Sequence, residues 1–119
     1  MDNTKELIKN IIEGIQDKKG SKITVVDLTD IETSICQYFV ICQGNSANQT
    51  TAITKSVGDR LREKCGTKPF AVSGVENGVW IVMDYNDIFV HIFQPEERDF
   101  YDLEHLWADA KLTNIPDIE

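Results

Sequence analysis

The sequence predicts an α/β fold in which a mixed β-sheet is flanked by helices. Two hydrophobic patterns alternate along the chain, one with the 3.6-residue spacing of helices and one made of the short apolar runs that are typical of strands. Residues 38–72 also follow the order strand, helix, strand, which suits a crossover connection. A chain of 119 residues can bury a core of its own, so we expect a single domain over residues 1–110.

The first half of the chain alternates helix and strand. Apolar residues recur at helical spacing from Thr4 to about Lys19, and Gly20 ends that pattern. A short strand is predicted over residues 23–28. The continuous apolar run at residues 38–42 predicts a strand that is buried on both faces.

The second helix has clear signals at both ends. Ser46 and Gln49 have the spacing of a capping box, and Gly66 favours termination. Residues 68–72 then predict an edge strand, because Pro69 cannot donate a backbone hydrogen bond to a neighbouring strand. Four apolar residues mark the buried side of this helix: Ala47, Ile53, Val57 and Leu61.

Residues 79–93 predict a β-hairpin, and its register follows from charge and turn chemistry. A loop at Tyr85 and Asn86 would place two aspartates opposite each other, and like charges across a strand pair are destabilising. A loop at Asn86 and Asp87 avoids this pairing and uses residues that tolerate positive φ. This register gives one apolar face, which includes Tyr85. The other face carries three cross-strand pairs: Trp80 with Phe93, Val82 with His91, and Asp84 with Phe89.

The C-terminal part predicts a helix that begins at Pro95, with acidic residues near the positive end of its dipole. Asp102 breaks it into two short pieces. Residues 111–119 have no periodicity, so they are expected to form a frayed tail. An apolar stripe is predicted from four residues: Phe100, Leu103, Leu106 and Trp107.

Composition limits the function classes. A net charge of -8 argues against broad affinity for nucleic acid and fits either a basic partner or a soluble acidic protein. No apolar run approaches the roughly 20 residues of a membrane helix, so a soluble protein is expected. The odd number of cysteines, without short spacing or a secretory signal, predicts reduced thiols in the cytoplasm.

Few residues suggest catalysis or metal binding. Residues 44–46 open a helix after a buried strand, and their amides could hold a phosphate in a nucleotide-dependent transferase. The paired carboxylates of such an enzyme are missing, and a capped helix start explains the same residues. The two histidines, His91 and His105, have no metal-ligand spacing around them. We therefore expect no catalytic residue, metal or cofactor.

Three blocks of the sequence resemble those of the ribosomal silencing factor family, also called Iojap-like, and they occur in the order and spacing found in that family. The blocks are YFVICQGNS at residues 38–46, WIVMDYNDIFVHIF at residues 80–93 and RDFYDLEHLW at residues 98–107. The chain departs from the family pattern at Gln37 and Ser73, where acids are usual. It also departs at Asn86, which replaces a glycine of the hairpin turn.

The resemblance implies a nucleotidyltransferase-like fold without catalytic carboxylates. It implies binding to ribosomal protein fourteen of the large subunit, which blocks subunit joining and represses translation when nutrients are short. The resemblance also implies that no catalysis is involved, and it makes a homodimer plausible. From the sequence itself we expect neither a membrane nor sequence-specific nucleic acid as a partner. The resemblance assigns a docking surface to Trp80, Tyr85, Asp87, His91 and Phe93, with rim contacts from Arg98, Tyr101 and Glu104.

Overall fold

The computed structural model describes residues 4–31, 36–106 and 110–117. It confirms the predicted α/β class, with a six-stranded sheet in the order β3-β4-β5-β2-β1-β6. Strands β2 and β5 are parallel, and the other neighbours are antiparallel. The elements are α1 (Thr4–Asp17), β1 (Ser21–Asp27), β2 (Tyr38–Gln43), α2 (Ala47–Cys65), β3 (Ala71–Ser73), β4 (Trp80–Asp84), β5 (Ile88–Phe93), α3 (Pro95–Tyr101), a 3-10 turn (Leu103–His105) and β6 (Lys111–Ile115).

Helices α1 and α2 pack side by side on one face of the sheet. Their apolar residues join those of the strands in a core that includes Ile11, Ile53 and Ile81, all fully buried. The two helices come close at Gly14, where a Cβ atom would lie 3.1 Å from the Cα of Val57. A glycine is therefore needed here for close packing, although it weakens an isolated helix.

The beginning of α2 is tied to the end of α1. Ser46 Oγ accepts a hydrogen bond from the backbone N–H of Gln49 at 3.1 Å, which confirms the predicted cap. The Gln49 side chain accepts from the Asn45 amide at 2.7 Å and donates to the carbonyls of Lys18 and Lys19. One side-chain amide thus satisfies backbone groups that lie just after α1 and just before α2.

The hairpin of β4 and β5 has the predicted register. Trp80 pairs with Phe93, Val82 with His91 and Asp84 with Phe89. Asn86 has φ 73°, the Asp87 N–H donates to the Tyr85 carbonyl at 2.9 Å, and the Asp84 carboxylate accepts from the Asn86 N–H. The loop is therefore a tight γ-turn of the kind with positive φ at its central residue.

Asn86 gives a direct stability prediction. We expect Asn86→Ala to lower the free energy of unfolding by about 1 kcal/mol, because most side chains strain the left-handed region. Asn86→Gly removes that strain and should lie within about 0.5 kcal/mol of the unaltered chain. Urea unfolding of the three proteins measures the difference. Equal stability of the alanine and glycine variants would contradict the turn assignment.

The predicted frayed tail is wrong. Lys111–Ile115 form strand β6, which pairs with β1, and the Asp117 carboxylate accepts from the Lys22 N–H at 2.8 Å. The segment lacks the signals of a strand because its side chains are mostly exposed. Its order comes instead from backbone pairing with a distant part of the chain.

Two further predictions about burial also need correction. Ala47 is exposed, and Thr50 takes the buried position on that side of α2, where its hydroxyl donates to the Gly78 carbonyl at 2.7 Å. In the predicted C-terminal stripe, Leu103 packs on the core, but Phe100 and Leu106 are 80% and 59% exposed. The fourth member, Trp107, lies outside the described residues.

The predicted crossover and edge strand are present with changed bounds. Strand β3 lies at the edge of the sheet and begins three residues later than expected. It is separated from β2 by β4 and β5, and the strand that pairs with β2 in parallel is β5. No helix in the part of the chain that the structure describes is long and apolar enough to cross a membrane.

Candidate docking surface

We define the open face as the side of the sheet opposite α1 and α2. Its buried core includes Val26, Phe39, Ile41 and Phe93. The segment formed by α3 and the following 3-10 turn covers part of this face, and Leu103 packs against the core there. The helices of the fold therefore flank both sides of the sheet, but they cover the open face incompletely.

Four aromatic side chains form a continuous ladder from this core to the surface. The ring of Phe93, which is 1% exposed, stacks on Trp80 with centroids 5.1 Å apart. Trp80 is half-buried and lies 4.5 Å from Tyr101, which in turn meets Phe100 edge-on at 5.0 Å. The exposed fraction rises to 46% at Tyr101 and 80% at Phe100. We call these four residues the aromatic ladder.

His91 fixes the orientation of Trp80. The indole N–H donates to His91 Nδ1 at 3.1 Å, so that nitrogen must be unprotonated. The imidazole is 5% exposed among aromatic rings, and burial lowers its pKa to about 4. Its Nε2 is buried without a hydrogen-bond partner in the described structure. His91 is therefore a neutral acceptor beneath the surface.

A buried ion pair holds the α3 segment on the sheet. Arg98 Nε donates to Glu104 Oε1 at 2.8 Å, and the two side chains are 9% and 13% exposed. The same guanidinium donates to the carbonyl of Lys22 and, at 3.0 Å, to the hydroxyl of Thr24. These bonds join α3 and the 3-10 turn to β1. We call this group of contacts the Arg98 clasp.

The structure brings together only part of the predicted docking residues. Trp80 and Tyr101 share the open face, and Asp87 lies exposed in the hairpin turn. His91 and Phe93 lie on the same face but are buried. They can support a docking surface from below, but they are too buried to contact a partner.

Three of the predicted contact residues are placed differently from the expectation. Tyr85 is on the opposite face, 6% exposed in the core beneath the helices, where burial raises its pKa to about 12. Arg98 and Glu104 were expected at the rim, but their charged groups bond to each other inside the fold. Their sequence separation of six residues gave no sign of this pairing, which depends on the αL conformation of Asp102 between them.

The helix start at residues 44–46 offers few free amides for a phosphate. The Gly44 N–H donates to the Phe93 carbonyl, and the Asn45 N–H donates to Gln49. The first-turn amides of Gln49 and Thr50 are bound by Ser46. These contacts fit a capped helix start. Within residues 4–31, 36–106 and 110–117, no group of three or more His, Cys, Asp or Glu side chains is placed to hold a metal ion.

The surroundings of the exposed aromatics are acidic. Glu96, Asp99 and Asp102 are exposed on the α3 segment, whereas its arginine is buried. His105 lies 2.6 Å from Asp102, and the hydrogen bond and charge of that carboxylate raise the pKa of His105. The ladder thus emerges in a region of negative potential.

The fold and this surface define a small α/β protein with an exposed aromatic group in acidic surroundings. A sequence model of the family described as "Ribosomal silencing factor during starvation" matches residues 1–119. The chain belongs to the ribosomal silencing factor family.

Relatives and a solved structure agree with this assignment. Ribosomal silencing factor RsfS of Bacillus subtilis is 34% identical over 113 residues, which are 95% of this chain and 94% of that protein. Protein Iojap, chloroplastic, of Arabidopsis thaliana is 30% identical over 80 residues, 67% of this chain and 33% of that protein. A crystal structure from Chromobacterium violaceum has a TM-score of 0.83 and 35% identity, and covers 93% of this chain and 90% of that one.

Proposed function

We propose that this protein silences ribosomes in the cytoplasm. It binds ribosomal protein fourteen on the face of the large subunit that meets the small subunit, and thereby represses translation under nutrient limitation. The observation that carries this proposal is the match of residues 1–119 to the family. No catalytic step is part of the proposal.

Charge and size support this mode of action. The net charge of -8 suits a basic ribosomal protein, because charge complementarity speeds encounter and selects partners. The folded chain measures 36 × 34 × 28 Å. A rigid body of that size, bound where two subunits meet, prevents their contact without any chemistry.

Tyr101 and the exposed part of Trp80 are the proposed aromatic contacts on the open face. Asp87 in the hairpin turn is a polar contact, while His91 and Phe93 support the ring of Trp80 from below. The Arg98 clasp sets the position of α3, so Arg98 and Glu104 contribute indirectly. Tyr85 is left out of this surface because it lies in the other core.

Sedimentation of purified ribosomal subunits tests the function. We expect the protein to sediment with the large subunit, in the absence of nucleotide, and to reduce the fraction of joined particles when it is added before the small subunit. Raising the ionic strength should weaken the binding, since exposed charges are screened. Binding to the small subunit alone, or unchanged joining at saturating protein, would rule the proposal out.

A further inference from the structure

We propose that Phe100, at the exposed end of the aromatic ladder, is the principal apolar contact of the docking surface and that it inserts into an apolar pocket ringed by Lys and Arg on a basic protein. This inference rests on the proposed function. It differs from the sequence expectation, in which Phe100 belonged to an apolar stripe and was not among the docking residues.

Exposure and orientation favour Phe100. Its side chain is 80% exposed, the largest exposed fraction among the large hydrophobic side chains of the described residues. Burial of a phenylalanine ring on binding is strongly favourable, because aromatic side chains bury large areas. The ring already lies edge-on to Tyr101 at an interplanar angle of 88°. A ring that is oriented before binding loses less conformational freedom when the partner closes over it.

Trp80 is less suitable as the main contact because its groups are already in use. Its indole N–H donates to His91, and its ring contacts both Phe93 and Tyr101, whose own rings are stacked with centroids 6.4 Å apart. Through these contacts Trp80 helps to hold the Tyr101 ring in a fixed position on the sheet. The Arg98 clasp provides a second support, because it fixes α3 to β1.

The charges around Phe100 select the kind of partner. Glu96, Asp99 and Asp102 are exposed on the same segment. A nucleic-acid backbone would bring further negative charge to this place. A second copy of the chain, with its own net charge of -8, would do the same. A protein surface that offers an apolar pocket with Lys and Arg at its edge is complementary in both respects.

The chain offers a matched control in Phe70. Its side chain is 78% exposed, and it precedes β3, where its N–H donates to the Asp84 carbonyl at the end of β4 remote from Trp80. Phe100→Ala and Phe70→Ala therefore remove the same group at nearly the same exposure from two places. Neither ring is buried in the free protein, so we expect both variants to unfold at the same temperature as the unaltered chain.

The experiment measures the affinity of the three proteins for isolated ribosomal protein fourteen by calorimetric titration. We expect Phe100→Ala to weaken binding at least about tenfold, as for a residue at the centre of an interface, and Phe70→Ala to change it less than about twofold. Phe100→Leu, which keeps an apolar side chain, should fall between Phe100→Ala and the unaltered chain.

The outcomes separate the inference from the function on which it rests. If the unaltered chain binds and both alanine variants bind equally well, the role of Phe100 is refuted while the proposed function stands. If Phe70→Ala alone weakens binding, the main apolar contact lies at the end of the sheet that carries β3 and the hairpin turn, and the inference is again overturned. If the unaltered chain binds neither the isolated protein nor the large subunit, the proposed function fails and the inference fails with it.

Discussion

Replacing Arg98 with alanine is expected to lower the free energy of unfolding by about 3 to 5 kcal/mol. The guanidinium is almost fully buried and bonds to Glu104, Thr24 and the Lys22 carbonyl. Its removal leaves the Glu104 carboxylate in a covered site, where one oxygen already has no partner in the described structure. An unpaired buried charge accounts for the large expected loss, since the intact ion pair adds little by itself.

Urea unfolding measures this change, and Arg62→Ala provides the control. Arg62 also pairs with a carboxylate, Asp59, at 3.0 Å, but the two side chains are 51% and 37% exposed. Exposed pairs contribute about 0 to 1 kcal/mol, so the control should move the unfolding midpoint only slightly. A midpoint shift of the same size in both variants would show that the Arg98 clasp stabilises the fold no more than an exposed ion pair does.

The second large effect is a loss of stability in weak acid that depends on His91. The native protein keeps the imidazole neutral until the pH approaches about 4, whereas the unfolded chain protonates it near the ordinary pKa of 6.5. Between these values the unfolded state binds more protons, so stability falls as the pH is lowered. The full difference corresponds to about 3 kcal/mol at the lower end of this window.

His91→Gln tests this prediction because its side-chain carbonyl can still accept from Trp80 but does not titrate. Unfolding free energies measured from pH 6.5 to 4.5 should decline less steeply in the variant. The Asp27 carboxyl affects stability at lower pH than His91 does. The Thr29 hydrogen bond lowers the pKa of Asp27, so its contribution to stability is lost as the pH falls below the ordinary carboxyl range. His105 has a raised pKa, so its contribution is lost as the pH rises. Parallel pH profiles of the two proteins would contradict the role of His91.

Local chemistry was enough to predict the hairpin, the helix cap and the class of fold. The repulsion between Asp84 and Asp87 fixed the strand register, and Ser46 with Gln49 marked a helix start that the hydrogen bonds confirm. Each of these signals acts over a few residues. Their outcome does not depend on how distant parts of the chain meet.

Two of the missed features depend on tertiary contacts. Strand β6 is ordered by its pairing with β1, and Arg98 is buried by contacts with residues more than 70 positions away. Tyr85 shows a different limit. The register placed it on the apolar face, but the family resemblance grouped it with the docking residues, and the structure agrees with the register.

Strand β6 affects whether separate molecules of the protein can associate through their sheet edges. It covers the backbone of β1 along Ile23–Asp27, so the sheet ends on this side in a five-residue strand with largely exposed side chains. Without β6, the amides and carbonyls of β1 would be open to strands of other chains, which is a route to aggregation. Strand β6 thus protects a sheet edge. A protein fused directly after Asp117 would be attached next to this structural strand and to the contact between Asp117 and Lys22.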